Sequence, residues 1–482
     1  MVHICMRDYV LIYVNGQRHE VRGKLAFSSL SDFLRNDLAL TGTKIVCAEG
    51  DCGSCSILLG KAGTHRIDYR TVCSCIQFVY QLDCSHIITV EGLQYDGHLN
   101  PVQEALVQFQ GTQCGFCTPG FVVSLCAMFE DQKIASVDDV RANCVGNLCR
   151  CTGYESILRA GASIDGSHMR PLNALYPPEK MLAEFSRCAR EDVQIAHGGK
   201  IFFKPAVISR ACTFRNEHPD CTIISGGTDI GVLVNKRIRE PKTILVTAGL
   251  RELETIEVSD GMIVAGARVS LMDLETLCSQ HLPEFAKILY YFGSPPIRNA
   301  GTLGGNIANG SPIGDSMPAL FVLNAEIELT GLNGARRVNI NDFYTGYRKT
   351  VMRSDELITR IFIPLPRNDE TLKLYKISRR KDLDISAFTA AFWMKRDDET
   401  ITDIRIAYGG VAPTIVRMPK TEAFLRGKRL DTETAAEAGA IARTEVSPIT
   451  DVRGSADYRL QLCENIILKL QAELNESAPV MY

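Results

Sequence analysis

"CAEGDCGSC", residues 47–55, places Cys47, Cys52 and Cys55 inside nine positions with Gly50 and Gly53 between them. The spacing is C-x4-C-x2-C. Three sulfurs this close, separated by small residues, describe a loop that wraps something. A second cysteine pair lies in "GTQCGFCTPGF" (111–121) and a third in "NLCRCTGYES" (147–156). Of the 18 cysteines, 13 fall within the first 151 residues. In a reducing compartment such clusters bind metal or do chemistry more often than they form disulfides.

C-x4-C-x2-C followed by a distant cysteine is the ligand spacing of a plant-type 2Fe–2S ferredoxin. A cluster held by four thiolates is anionic, and close backbone N–H groups stabilise it. Gly50 and Gly53 allow that approach. The fourth ligand is Cys73 or Cys75, from "TVCSCIQF". Zinc prefers C-x2-C pairs, so it fits this loop poorly. The second set, Cys114, Cys117, Cys149 and Cys151, could by spacing alone hold zinc or a second 2Fe–2S cluster. Each pair precedes a predicted helix, over 119–130 and 153–161. Helix N-termini favour an anionic centre. Cys5, Cys84, Cys126 and Cys144 lie outside both patterns and read as packed thiols. So do Cys188, Cys212, Cys221, Cys278 and Cys463.

The 482 residues predict about three domains. Residues 1–92 read as strands and turns with one short helix, "SLSDFLRNDL", capped by Ser29 or Ser31. Asn15-Gly16 marks a hairpin turn. Residues 93–165 read as a helical bundle: Pro101 and Pro119 open two helices, and Ser136 with Asp139 forms a capping box on a third. Residues 166–192 read as a proline-rich linker. Glycine clusters at 225–231 and 301–316 lie between strands of a unit spanning 193–370, and a mixed segment, 371–482, ends in an amphipathic helix. A net charge of −3 argues against a nucleic-acid footprint. The longest uncharged apolar stretch, "FVVSLCAMF", is half of a membrane span, and no secretory signal is visible. A cytoplasmic protein is expected.

"QCGFCTPG" and "CRCTGY", following the first loop in that order, resemble the iron–sulfur part of the molybdenum hydroxylases, the family of xanthine dehydrogenase. The resemblance selects Cys75 as fourth ligand, by its distance from "TVEG" (89–92). "SGGTDIG" and "IRNAGTLGGNIANGSPIGD" resemble the two flavin loops of the same family. The resemblance implies that Gly226, Gly227, Thr228, Asp229 and Ile230 wrap the FAD diphosphate and that Ile223, Ile224 and Ser225 also lie at the cofactor. Phe292 would lie towards the adenine, and Thr302, Gly305 and Asn306 would complete the phosphate cradle. Asp315 would take flavin-side hydroxyls, and Ile358 and Lys376 would lie at the cofactor.

The implied fold is multidomain α+β. It comprises a ferredoxin-like β-grasp domain, a helical 2Fe–2S bundle, a vanillyl-alcohol-oxidase-type FAD domain and an α+β C-terminal domain. The implied function is electron transfer in xanthine and hypoxanthine oxidation. Electrons would pass from a molybdenum cofactor on a large partner subunit, through two 2Fe–2S clusters, to FAD and then NAD. A heterotetramer with two copies of each chain is expected. The equivalent subunit of a hydroxylase for aldehydes or N-heterocycles carries the same cofactors and stands as the alternative. A zinc-bearing assembly protein would lack the visible flavin and iron–sulfide absorption.

Overall fold

The computed structural model describes residues 6–476; Cys5, expected as a packed thiol, lies outside them. The chain divides into two compact units. Of the described residues, one holds 6–251 and 294–301, the other 252–293 and 302–476.

The first unit begins with a hairpin. Strands Val10–Val14 and Gln17–Val21 pair antiparallel, and the turn places Asn15 at φ +48° and Gly16 at +81°. Positive φ at both central residues is what a type I′ turn demands. Val10–Val14 also pairs parallel with Ser85–Ile88, which continues to Ser56–Ala62 and Ile67–Cys73 in one five-stranded sheet. Ser29 caps the short helix Leu30–Asp32, accepting from Asp32 N at 3.1 Å. The helix widens into a π turn over Phe33–Asp37. Leu30, Phe33 and Leu34 from this stretch enter the sheet's core with Val10, Ile12 and Ile87. This is the β-grasp arrangement expected.

Four helices follow: Pro101–Gln108, Thr118–Asp131, Val137–Asn143 and Glu155–Ala162. Asn100 with Gln103, and Ser136 with Asp139, form reciprocal capping boxes. Each satisfies two N-terminal donors. Phe121, Val123 and Leu125 of the second helix pack with Leu106, Val140 and Ile157 of the others. Cys126 and Cys144 are buried among them, as packed thiols should be.

The segment read as a linker carries a helix, Glu179–Cys188. Its residues Met181, Phe185 and Cys188 are buried against Leu11 and Ile67 of the β-grasp sheet. Their i, i+4, i+7 spacing was present in "KMLAEFSRC", behind the prolines at 171, 177 and 178. A fully buried phenylalanine such as Phe185 contributes about 1.5–3 kcal/mol. The chain then forms Asp192–His197, Lys200–Lys204, Thr222–Ile224 and Thr243–Val246, a second sheet that Met6–Arg7 joins at its edge.

Besides the two-stranded pair of Tyr344–Gly346 with Lys349–Thr350, the second unit has two larger antiparallel sheets. One orders Ile256–Ser259, Met262–Gly266, Leu357–Pro364, Glu326–Gly331 and Gly334–Asn339. The other orders Glu370–Ile377, Phe388–Asp397, Thr400–Gly409 and Val416–Arg417. Helices Thr432–Thr444 and Ala456–Glu476 pack on the latter through Ala435, Ala438, Cys463 and Ile467. Among the described residues no helix is long and apolar enough to cross a membrane.

One buried ionic group ties the first unit together. Asp83 has a fully buried side chain and accepts from Arg7 at 2.9 and 2.8 Å, from Lys204 at 2.7 Å and from Leu11 N at 2.9 Å. Burial alone would raise this carboxyl, but Lys204 and Arg7 outweigh it and hold it at about 2. A depressed folded pKa stabilises above the unfolded value near 4, and that stability is lost as pH falls towards 2. Wild-type protein should therefore lose stability across that window, as followed by circular dichroism. Asp83→Ala, which leaves buried Lys204 without its counter-ion and Arg7 with Glu191 alone, should cost about 3–5 kcal/mol at neutral pH and flatten the acid dependence. A variant as stable as wild type in urea would show the group to be dispensable.

Candidate functional site

The loop 47–55 is built on left-handed backbone. Ala48 has φ +55°, Gly50 +76° and Gly53 +69°. A Cβ on Gly50 would sit 2.5 Å from Ile76 Cδ1. The amide of Glu49 donates to Cys47 Sγ at 3.4 Å. Cys47 is in thiol contact with Cys52 and Cys75, and Cys55 with Cys73 and Cys75. Hydrogen bonds from Cys52 and Cys75 lower the Cys47 thiol, and those from Cys73 and Cys75 lower Cys55. Cys52, Cys73 and Cys75 are raised in turn, first by those same bonds and then by burial. Metal binding would displace the shared protons.

The two candidates for fourth ligand differ in their partners. Cys75 touches both Cys47 and Cys55. Cys73 is buried, and its thiol donates to Gly50 O at 3.4 Å.

In the second set, Cys114 and Cys151 are exposed with sulfurs 3.3 Å apart. Cys117 is the N-cap of helix Thr118–Asp131 and contacts Cys149. Burial, then that contact, pushes the Cys117 thiol up to about 12. Thr152 Oγ1 lies 3.2 Å from Cys149 Sγ, and Cys149 N donates to Tyr154 Oη at 3.0 Å. Tyr154 has φ +71° and heads helix Glu155–Ala162. Among the described residues no three His, Cys, Asp or Glu side chains group as ligands of a single metal ion. The sulfurs of this second set associate as two pairs, Cys114 with Cys151 and Cys117 with Cys149, which suits a cluster of two irons sharing four thiolates.

The two cysteine sets meet through their backbones. Leu148 N donates to Cys52 O at 3.0 Å, so the residue preceding Cys149 is bonded to a cysteine of the first loop. Asn147 Nδ2 donates to Gly53 O at 3.3 Å and its Oδ1 accepts from Ser124 Oγ at 2.8 Å. No sequence pattern marked Asn147; its role depends on contacts far apart in the chain.

The residues expected at the flavin fall in both units. In the first, Ile223 and Ile224 end strand Thr222–Ile224, and the turn Ser225-Gly226-Gly227 leads into helix Thr228–Asn235, which bears Thr228, Asp229 and Ile230. Gly227 has φ +78°, and a Cβ on Gly226 would lie 2.0 Å from Ala300 O. Gln77 Nε2 donates to Gly226 O at 2.9 Å and Gln81 Nε2 to Ser225 O at 3.3 Å. The turn is thus held from residues 77–81, just beyond Cys75. A tight glycine turn at a helix start suits an anionic diphosphate.

In the second unit, Thr302 caps helix Leu303–Asn309 and accepts from Gly305 N at 3.2 Å. Asn306 Oδ1 accepts from Ser316 Oγ at 2.5 Å. Asp315 accepts from Lys376 Nζ at 2.6 Å and Ser386 Oγ at 2.5 Å, and Lys376 also donates to Tyr291 O at 2.9 Å. Burial pushes the Asp315 carboxyl up, against the pull of Lys376 and Ser386. Phe292 packs at the margin of the core. Ile358 lies inside it, opposite Leu329 in the strand register. The sequence reading missed Ser386 and Tyr291, which carry no motif.

Comparison with known proteins accords with this geometry. Residues 89–162 match the model of a 2Fe–2S binding domain. Residues 194–366 match that of the FAD binding domain in molybdopterin dehydrogenase, and 373–474 the CO dehydrogenase flavoprotein C-terminal domain. Xanthine dehydrogenase 1 of Arabidopsis thaliana is 29% identical over 95% of this chain and 39% of its own length. Xanthine dehydrogenase of Drosophila subobscura is 30% identical over 88% and 36%. The chain thus spans about two fifths of these relatives. Among solved structures, a carbon monoxide dehydrogenase from Hydrogenophaga pseudoflava that lacks the Mo-pyranopterin moiety aligns with TM-score 0.54 and 27% identity. That alignment covers 57% of this chain and 95% of the other. Quinoline 2-oxidoreductase from Pseudomonas putida 86 aligns with TM-score 0.53 and 27% identity, over 57% and 96%. The chain belongs to the molybdenum hydroxylase family, of which it carries the iron–sulfur and flavin electron-transfer module.

Proposed function

We propose that this chain passes electrons from a molybdenum centre on a large partner subunit to NAD, in the oxidation of purines such as hypoxanthine and xanthine. Cys47, Cys52, Cys55 and Cys75 hold one 2Fe–2S cluster; Cys114, Cys117, Cys149 and Cys151 hold a second. FAD takes the residues named at 223–230, 292, 302–306, 315, 358 and 376. The partner and this chain assemble two of each. When bound, the clusters carry single electrons and FAD converts them to two-electron exchange. The chain's own residues position and insulate these groups, and none need act as acid or base.

The observation that carries this reading is the Leu148 N to Cys52 O bond, which joins two cysteine sets of cluster chemistry. The xanthine dehydrogenase relatives support the purine substrate. The likeness to quinoline 2-oxidoreductase supports an N-heterocycle substrate in its place, with the same module unchanged.

Loaded with its cofactors but without the partner, the chain should oxidise NADH with an artificial dye and leave xanthine untouched. The matched segments are those of iron–sulfur and flavin chemistry. Adding the large subunit should restore purine-dependent NAD reduction. Xanthine hydroxylation by the homogeneous chain would overturn the division of labour, and failure to oxidise NADH despite bound FAD would overturn the acceptor.

Iron analysis tests the ligands. Cys47→Ser, Cys52→Ser, Cys55→Ser and Cys75→Ser should each lower about four irons per chain to about two. Cys73→Ser should leave the count unchanged, since Cys73 touches Cys55 alone while Cys75 touches both Cys47 and Cys55. The opposite result for Cys73 and Cys75 would exchange their roles.

Asp315→Ala should weaken FAD retention by roughly ten- to a hundredfold while iron stays normal. Charge-assisted bonds are worth about 1.5–3 kcal/mol each, and the substitution also strands buried Lys376. Full flavin occupancy after exhaustive dialysis would remove Asp315 from the site.

A further inference from the structure

Helix Thr228–Asn235 starts at the Gly226–Gly227 turn, and its last residue reaches the first cysteine loop. The Asn235 carboxamide donates twice, from Nδ2 to Ala48 O at 2.9 Å and to Cys75 O at 2.8 Å. These carbonyls belong to separate segments. One follows Cys47 directly; the other is the carbonyl of Cys75 itself. A single side chain therefore spans both halves of the first cysteine set.

The rest of the helix leaves Asn235 little freedom. Val232 packs against Cys55, Cys73, Cys75 and Ile76. A Cβ on Gly231 would lie 2.5 Å from Ile76 O, so only glycine lets the helix lie this close. Lys236 and Glu49 form an ion pair one residue beyond. Ala48 holds a left-handed φ of +55°, a conformation that alanine adopts at a cost and that neighbouring contacts must maintain.

We propose that Asn235 is a positioning residue for the first iron–sulfur cluster, pinning the Ala48 and Cys75 carbonyls away from it and thereby keeping its reduction potential high. The inference rests on the assignment of a 2Fe–2S cluster to Cys47, Cys52, Cys55 and Cys75. A carbonyl oxygen is the negative end of a peptide dipole. Reduction adds negative charge to a cluster that is already anionic, so oxygens turned towards it disfavour the reduced form. Oxygens engaged by the Asn235 N–H groups cannot turn. Because the same helix begins at the turn expected to wrap the flavin diphosphate, its rigidity also fixes that turn relative to the cluster loop.

The test uses the full chain loaded with iron–sulfur clusters and FAD, in wild-type form and as Asn235→Leu and Asn235→Ser. Leucine keeps the volume and removes both donors; serine retains one. Redox titration followed by electron paramagnetic resonance reads each cluster separately, and the signal lost in Cys47→Ser identifies the first. In Asn235→Leu that cluster's signal should change shape and its midpoint should move to more negative potential, with the second cluster unmoved. Asn235→Ser should fall between Leu and wild type. If leucine prevents cluster assembly, the serine variant alone carries the comparison. Wild-type midpoints in a variant of full iron content, or an equal shift of both clusters, would overturn the role of Asn235. A wild-type protein without two 2Fe–2S signals would instead overturn the cluster assignment beneath it.

Discussion

The glycines where the two cysteine segments meet have no room for a side chain. A Cβ on Gly53 would lie 2.3 Å from Gly146 O, and one on Gly120 would lie 2.2 Å from Gly53 O. A Cβ on Gly146 would stand 2.4 Å from that of Ser294. Backbone must therefore touch backbone, and the Leu148 to Cys52 hydrogen bond is the result. Electron transfer over short distances needs this kind of closeness, and a methyl group at any of these glycines would force the packed segments apart.

The remainder of the first unit holds that contact steady. Asp83, Arg7 and Lys204 join residues from three separate stretches of chain, and Glu191, paired with Arg7, completes the charge balance of the group. Helix Glu179–Cys188 closes over the outer face of the β-grasp sheet. Gln77 and Gln81 support the Ser225–Gly227 turn just beyond Cys75. Sites built on such elements keep their geometry without help from the bound group.

Much of this was legible from local signals. Asn15-Gly16, the Asn100 and Ser136 caps, Pro101 and Pro119 each act within a few residues, and each stands where such chemistry puts it. The cysteine spacings are local too. What escaped was non-local. Asn147, Asn235 and Ser386 matter through partners 94, 187 and 71 residues away, and their own neighbours in the chain do not reveal those partners. The helix Glu179–Cys188 escaped for another reason: three prolines ahead of it suggested a linker, and the apolar spacing beyond them was outweighed.

Asp315 and Lys376 are each less than a tenth exposed, yet each is already the other's counter-ion. Ser386 and the Tyr291 carbonyl take up further hydrogen-bonding capacity. A buried charge without a partner would destabilise the chain until a ligand arrived. Here the chain balances its own charges, so this pair carries no unmet charge whose burial waits on a ligand. On the proposed assignment of Asp315 and Lys376 to the flavin, binding exchanges one set of satisfied bonds for another.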